Sequence, residues 1–202
     1  MYINEPLRKY LDDLAARSPT PGGGSAAALA ASLGVSLMMM AANFTIGNPK
    51  YKDVEGEAAD LITKLSKFSL ELRDLIDKDV EAYKKLSKGI KECRENATKL
   101  DEVYKEATNP VFEICKITSV CLKLCKTLAK IGNVNLITDT AAAAILLEGA
   151  FFAAKFNVYI NLKYIKDLEY VERIHDALFP LETEMPKLKD EILEICEEVI
   201  AK

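Results

Sequence analysis

From Ser18 to Pro49 the chain reads SPTPGGGSAAALAASLGVSLMMMAANFTIGNP, opening on prolines and glycines and then running without a charge. Pro19, Pro21 and Gly22 to Gly24 end any helix that precedes them, because neither residue type continues a helix at tolerable cost. Ser25 stands next as an N-cap. The helix it opens, Ser25 to Ala42, lies in a segment with no charged residue from Pro21 to Pro49. Ala, Leu, Val and Met surround its axis, so it must be buried all round. A bilayer is the rival form of burial, since about 20 apolar residues cross one. The stretch is instead Ala-rich, carries Ser32, Gly34, Ser36 and Asn43, and lacks an aromatic belt or flanking basic cluster. Small residues suit close packing at the centre of a bundle or of a dimer.

Outward from this helix the periodicity stays helical, and no run alternates long enough to suggest a sheet. A short helix over Glu5 to Arg17 places Leu7, Leu11 and Leu14 on one face. A long helix over Val54 to Cys93 carries Leu61, Leu65, Phe68, Leu72, Leu75, Asp79, Tyr83 and Leu86 at steps of three and four, so they share a face. Asp79 therefore occupies a slot whose neighbours are apolar. Asp77 points about 200° away, toward Arg73, Asp74 and Glu81, and is expected in solvent. Lys84, Lys85, Lys88 and Lys91, interleaved with Glu81, Glu92 and Glu95, read as a solvated face.

A further helix spans Asn109 to Ile131, with Pro110 in its first turn, and Gly132 closes it. The loop from Gly132 to Asp139 leads into a second largely uncharged helix, Thr140 to Leu162, which Thr138 or Asp139 can cap. Asp139, Ala143, Leu146, Ala150, Ala154, Asn157 and Asn161 lie near one stripe of it, small in the middle, where a neighbouring backbone can approach closely. Two last helices, Asp167 to Leu178 and Leu181 to Ala201, are separated by Pro180. The reading is all-α: one domain over residues 1–202, a multi-helical bundle with buried central helices.

Composition narrows the function classes. Half of the 202 residues are hydrophobic and 29% are charged, which supports a core and excludes wholesale disorder. With 27 Lys plus Arg against 31 Asp plus Glu the net charge is −4, and no basic face presents itself to nucleic acid. The five cysteines, Cys93, Cys115, Cys121, Cys125 and Cys196, are odd in number, form no CxxC, and read as reduced core thiols. His175, the one histidine, lies between charged residues and reads as a surface side chain rather than a metal ligand. Glu5, Arg8, Lys9, Asp12 and Asp13 leave no apolar export signal at the start, so a cytoplasmic protein with no membrane partner is expected.

Three features bear on chemistry. The Gly22-Gly23-Gly24-Ser25 turn is either a connector or a loop whose backbone touches a ligand, and it lacks the lysine of a Walker loop. Asp79 is either a hydrogen-bonded clamp or a site acid, because a carboxylate on an apolar face must be bonded to a buried donor or held protonated. Asn133, Asn135, Asn157 and Asn161 are each loop caps or core bridges, or together a reader of a flat heterocycle.

The run SPTPGGGSAAALAASLG…MMMAANFTIG…KY, the segment LIDKDVEAY (75–83) and the stretch GNVNLITDTAAAAILLEGAFFAAKFNVYINL (132–162) resemble the formiminotetrahydrofolate cyclodeaminase and methenyltetrahydrofolate cyclohydrolase family over essentially the whole chain. The resemblance implies an all-helical homodimer with a pteridine site lined by the glycine turn, the acidic helix and the Asn-rich loop. It makes Asp77 and Asp79 the paired acids, with Asp79 favoured as the proton shuttle from its face. Gly22, Gly23, Gly24, Ser25, Asn43, Tyr83, Asn133, Asn135, Asp139, Asn157 and Asn161 are the implied substrate contacts, and Lys50, with Lys52, is a candidate for folate glutamate tails. The implied reaction closes an N5-formimino group onto N10 and releases ammonia. The alternative adds water to the 5,10-methenyl carbon. A third reading, from another class, is a non-catalytic helical dimer that binds folate or a protein. Neither reaction changes oxidation state, so no cofactor or metal is expected beyond the tetrahydrofolate substrate.

Overall fold

A computed structural model describes residues 1–93 and 96–202. It contains six α-helices: α1 (Leu7–Ala15), α2 (Gly23–Asn43), α3 (Glu55–Glu92), α4 (Ala97–Ile131), α5 (Ile137–Leu162) and α6 (Leu168–Ile200). Short 3-10 turns occupy Tyr2–Asn4, Pro49–Val54 and Val134–Leu136. No strand occurs among the described residues, and Glu95 of the expected solvated face lies outside them.

The two charge-poor helices pair with one another. α2 and α5 lie side by side, backed by α3 and α4, while α6 packs along α4 and α5. Each of the two is long and apolar enough to cross a bilayer. Here their small residues instead permit close approach: a β-carbon at Gly34 would lie 3.2 Å from the Ala143 carbonyl oxygen and 3.1 Å from Leu147 Cγ. Ala143, Ala150 and Ala154 of the expected small stripe are all buried. The pair is antiparallel, since Gly23 meets Asn157 at one end and Phe44 meets Asn133 at the other.

Several boundaries differ from expectation. α2 begins at Gly23 with Gly22 as its N-cap, so Ser25 lies inside the first turn, fully buried. α4 begins at Ala97, capped by Asn96, and continues through Pro110, because Tyr104, Ala107 and Thr108 ahead of the proline already belong to the core. α6 likewise continues through Pro180 and Pro186 as one helix. An interior proline costs about 3 kcal/mol. Ile174 and Leu178 on one side, with Met185, Ile192 and Cys196 on the other, are buried and outweigh it at roughly 1.5–3 kcal/mol per large side chain. α5 starts at Ile137, which puts Thr138 and Asp139 in its first turn rather than at a cap. In α1 the expected apolar face is met only at Leu14, which packs half-buried against the core: Leu7 and Leu11 are exposed, and Tyr10 is the one fully buried side chain.

Four cysteines are buried and Cys93 is half-buried, all as free thiols. Burial pushes the Cys115 and Cys121 thiols up to about 12, which keeps them protonated and unreactive. His175 is exposed, stacked between the rings of Tyr159 and Phe179.

Candidate active site

The N-terminus of α2 emerges into a pocket of about 260 Å³ walled by four helices. Pro19, Thr20 and the three glycines form one side, Asp79, Tyr83 and Leu86 of α3 another, Ala107 and Val111 of α4 the floor, and Asn157, Ile160 and Asn161 of α5 the far wall. Among the described residues no lysine, arginine or histidine lines it.

Asp79 takes the place of a helix cap. Its Oδ2 accepts the Ser25 N–H at 2.8 Å, satisfying one of the donors that a helix start leaves free. Among the described residues no protein acceptor is found for the Gly23 and Gly24 N–H groups, and both glycines line the pocket. An N-terminus in this state favours an acceptor or anion. Burial nonetheless dominates the carboxyl, raising it from 3.8 to about 6 against the lowering effect of the Ser25 N–H. A carboxyl with that value gains and loses a proton near neutrality.

The glycines have separate reasons. A β-carbon at Gly24 would stand 2.2 Å from Asp79 Oδ1 and 2.6 Å from Val111 Cγ1, so the carboxylate is seated on bare backbone. At Gly23 the nearest atom would be Asn157 Nδ2, at 3.0 Å. Asn157 is oriented by its own helix, donating from Nδ2 to the Ala153 carbonyl at 2.8 Å. Behind the turn, the buried Tyr10 hydroxyl donates to Ser25 Oγ at 3.2 Å.

Of the residues singled out from sequence, Gly22, Gly23, Gly24, Asp79, Tyr83, Asn157 and Asn161 share this pocket, and Ser25 contributes its N–H to Asp79. The rest lie elsewhere. Asp77 is buried rather than solvated, because the N-terminal segment folds over it: Tyr2 N–H donates to Oδ1 at 2.6 Å and Ile3 N–H to Oδ2 at 3.2 Å. Asn133 latches the α4–α5 turn to the C-terminal end of α2. Its Nδ2 donates to the Phe44 carbonyl at 3.0 Å, its N–H to Thr45 Oγ1 at 2.9 Å, and its Oδ1 accepts the Asn135 N–H at 3.0 Å. Asn43, Lys50 and Asn135 are exposed near that end, and Asp139 is half-buried in the first turn of α5. Eighteen helical positions separate Asp139 from Asn157, roughly 27 Å. Within one chain the Asn-rich turn and the glycine turn therefore do not meet.

Sequence reasoning missed Thr20, Ala107 and Tyr10. Thr20 sits inside the glycine motif, whereas Ala107 fell ahead of the expected start of α4. Tyr10 carries no signal in a helix whose leucines looked like the buried face.

The sequence model of the formiminotransferase-cyclodeaminase family matches residues 6–178. A methenyltetrahydrofolate cyclohydrolase from Methylorubrum extorquens is 32% identical over 95% of both chains. The formimidoyltransferase-cyclodeaminase of Mus musculus is 32% identical over 89% of this chain, which spans 34% of that longer protein. A crystal structure of formiminotetrahydrofolate cyclodeaminase from Thermotoga maritima superposes with a TM-score of 0.93 at 30% identity, covering 99% of this chain and 100% of the other. On fold, sequence and extent of match together, the chain belongs to the formiminotransferase-cyclodeaminase family of folate one-carbon enzymes.

Proposed function

We propose that the protein is a formiminotetrahydrofolate cyclodeaminase, converting 5-formiminotetrahydrofolate to 5,10-methenyltetrahydrofolate and ammonia, with Asp79 as the proton shuttle. The observation that carries this reading is one near-neutral carboxyl at an uncovered helix start, in a pocket with no cationic side chain among the described residues. N10 attacks the formimino carbon and gives its proton to the Asp79 carboxylate. The resulting tetrahedral carbon then loses its amino group, which takes that proton and departs as ammonia. The positive charge of the amidinium ends on the methenyl bridge; the Asp79 carboxylate, facing a wall free of lysine and arginine among the described residues, suits that cation, while the open Gly23 and Gly24 N–H groups suit an acceptor on the folate. Base action requires the ionised form, so turnover is expected to rise with pH through about 6.

Cyclohydrolase action is the second reading, favoured by the full-length match to the Methylorubrum extorquens enzyme. The two separate by absorbance of the methenyl chromophore with purified protein. Appearance of the band from the formimino substrate supports the first, decay from the methenyl substrate supports the second, and no change with either supports a non-catalytic binding protein.

The functional unit we propose is a homodimer. Leu33 of α2, Phe44 at its C-cap, and Ile145, Phe156 and Ile160 of α5 are each more than half exposed; past Asp139 in its first turn, the charges of α5, Glu148 and Lys155, pair with α6. An apolar face of this kind marks an interface. A two-fold axis across its middle sets α2 antiparallel to α2 of the second copy. That arrangement carries one copy's Asn43 and Asn133–Asn135 end toward the other's glycine turn, which accounts for site residues standing roughly 27 Å apart in one chain. Leu33→Asp combined with Ile145→Asp is expected to give a monomer in sedimentation with activity lost in parallel. A fully active monomer would overturn both the dimer and the shared site.

A further inference from the structure

The two aspartates of α3 do the same thing on opposite sides of the helix: each receives backbone N–H groups from the start of another helical turn. Asp79 holds Ser25, and Asp77 holds Tyr2 and Ile3. Between those pins runs a segment that Tyr10, the one fully buried side chain of α1, anchors, with the half-buried Leu14 packed against the core beside it. Its internal contacts form a line. The Tyr2 ring meets the Tyr10 ring edge-on at 5.3 Å, the Tyr2 hydroxyl donates to Asp13 Oδ2 at 2.9 Å, and the Tyr10 hydroxyl donates to Ser25 Oγ at 3.2 Å. Ser25 in turn gives its N–H to Asp79.

We propose that Asp77 is a positioning residue for the pocket: by gripping Tyr2 and Ile3 it seats Tyr10 against Ser25 and so holds the glycine turn and Asp79 in register. The physical basis is that a buried carboxylate accepting two N–H groups makes strong, directional bonds. Asp77 is 6% exposed, its carboxylate bridges the two successive amides, and the tyrosine pair is the rigid link from that grip to the α2 start. Asp77 does not line the pocket, so it acts through the strap and not on the substrate.

The inference rests on the folate reading for its kinetic arm and is independent of it for its structural arm. In the ligand-free protein, Asp77→Ala is expected to speed amide hydrogen exchange in the peptide covering residues 19–27 by about tenfold or more, while α6 exchanges as before. With the methenyl or formimino substrate, kcat is expected to fall about tenfold with KM changed less, because the group put out of register is the Asp79 carboxyl, and the size is that produced by loss of a charge-assisted hydrogen-bond pair. Asp77→Asn keeps one acceptor oxygen and is expected to fall between Ala and wild type. Tyr10→Phe is expected to reproduce the loss, and the double variant Asp77→Ala with Tyr10→Phe to lose no more than either alone, because both break one line. Should Asp77→Ala not fold, Asp77→Asn and Tyr10→Phe carry the same comparison. Faster exchange confined to residues 1–7 with the glycine turn unchanged would overturn the proposal, as would additive losses in the double variant. If wild-type protein acts on neither substrate, the function reading fails, and the exchange result alone decides the role of Asp77.

Discussion

Asp79→Asn is expected to lower turnover by about 10² to 10⁴, the range for loss of a general acid–base group, while leaving ligand affinity nearly unchanged. An amide fills the same volume and can still accept the Ser25 N–H, but it cannot pass a proton from N10 to the leaving nitrogen. The same variant is expected to melt higher at pH 8. The folded carboxyl sits at about 6 against 3.8 for the free group, so the folded chain holds its proton more tightly than the unfolded chain. Stability from that proton is fully present below about 4 and is lost as the pH rises through about 6. The ionised form therefore costs roughly 3 kcal/mol at pH 8, which Asn removes. At pH 4 the carboxyl is neutral in the folded chain, and the gain should shrink to a small residue. Single-turnover absorbance with melts at both pH values checks the pair of effects. Normal turnover would exclude the shuttle, and a pH-independent gain in melting temperature would exclude the strained carboxyl.

Gly24→Ala is expected to be nearly as damaging, by a different route. On helix propensity alone Ala should stabilise the first turn of α2 by about 1 kcal/mol. The added methyl instead meets Asp79 Oδ1 at 2.2 Å and Val111 Cγ1 at 2.6 Å, and neither α3 nor α4 can retreat without disturbing the core. The carboxylate must swing away from the Ser25 N–H, and a misplacement of about 1 Å at a reacting group costs on the order of 10² in rate. Gly23→Ala is expected to be milder, because the neighbour there is the end of the Asn157 side chain. Measuring kcat/KM for the two variants in parallel gives the test: equal losses would mean that the turn responds to bulk in general and not to the seat of Asp79.

The central helices were legible because a helix with few or no charges must find apolar cover, and α2 and α5 pack on one another at the core; burial all round is not met within one chain, where Leu33 of α2 and Ile145, Phe156 and Ile160 of α5 stay more than half exposed. The face of Asp79 was legible because seven apolar or aromatic neighbours share its phase along α3. Asp77 was not, because a periodic reading sees one helix at a time and cannot see which distant segment will cover its other side. The Tyr2–Asn4 turn does so, with the two N–H groups of Tyr2 and Ile3, which need an acceptor once buried and find it in the two oxygens of Asp77. Pro110 and Pro180 misled in the opposite direction. Proline is a strong local breaker, yet buried side chains on both sides of each hold α4 and α6 as single helices. The amides of the Asn-rich turn read either as loop caps and core bridges or as a reader of a flat heterocycle, and Asn133 takes the first role, its side chain binding the end of α2 and capping the turn at Asn135.

The placement of Asp77 and Asp79 on α3 also limits how genes for this fold can change in length. The two carboxylates are two residues apart and serve opposite sides, so both depend on a single helical phase set by Leu61, Leu65 and Leu72. Inserting or deleting one residue between Leu72 and Asp77 would turn everything beyond it by about 100°, moving both acids off their partners at once. Side chains along this helix can be exchanged one by one, but its count of residues cannot drift. The constraint reaches the far end of α3, because Gly89, between Lys88 and Lys91, is buried where a β-carbon would stand 2.7 Å from Val103 Cγ1, so a change of phase there also breaks packing.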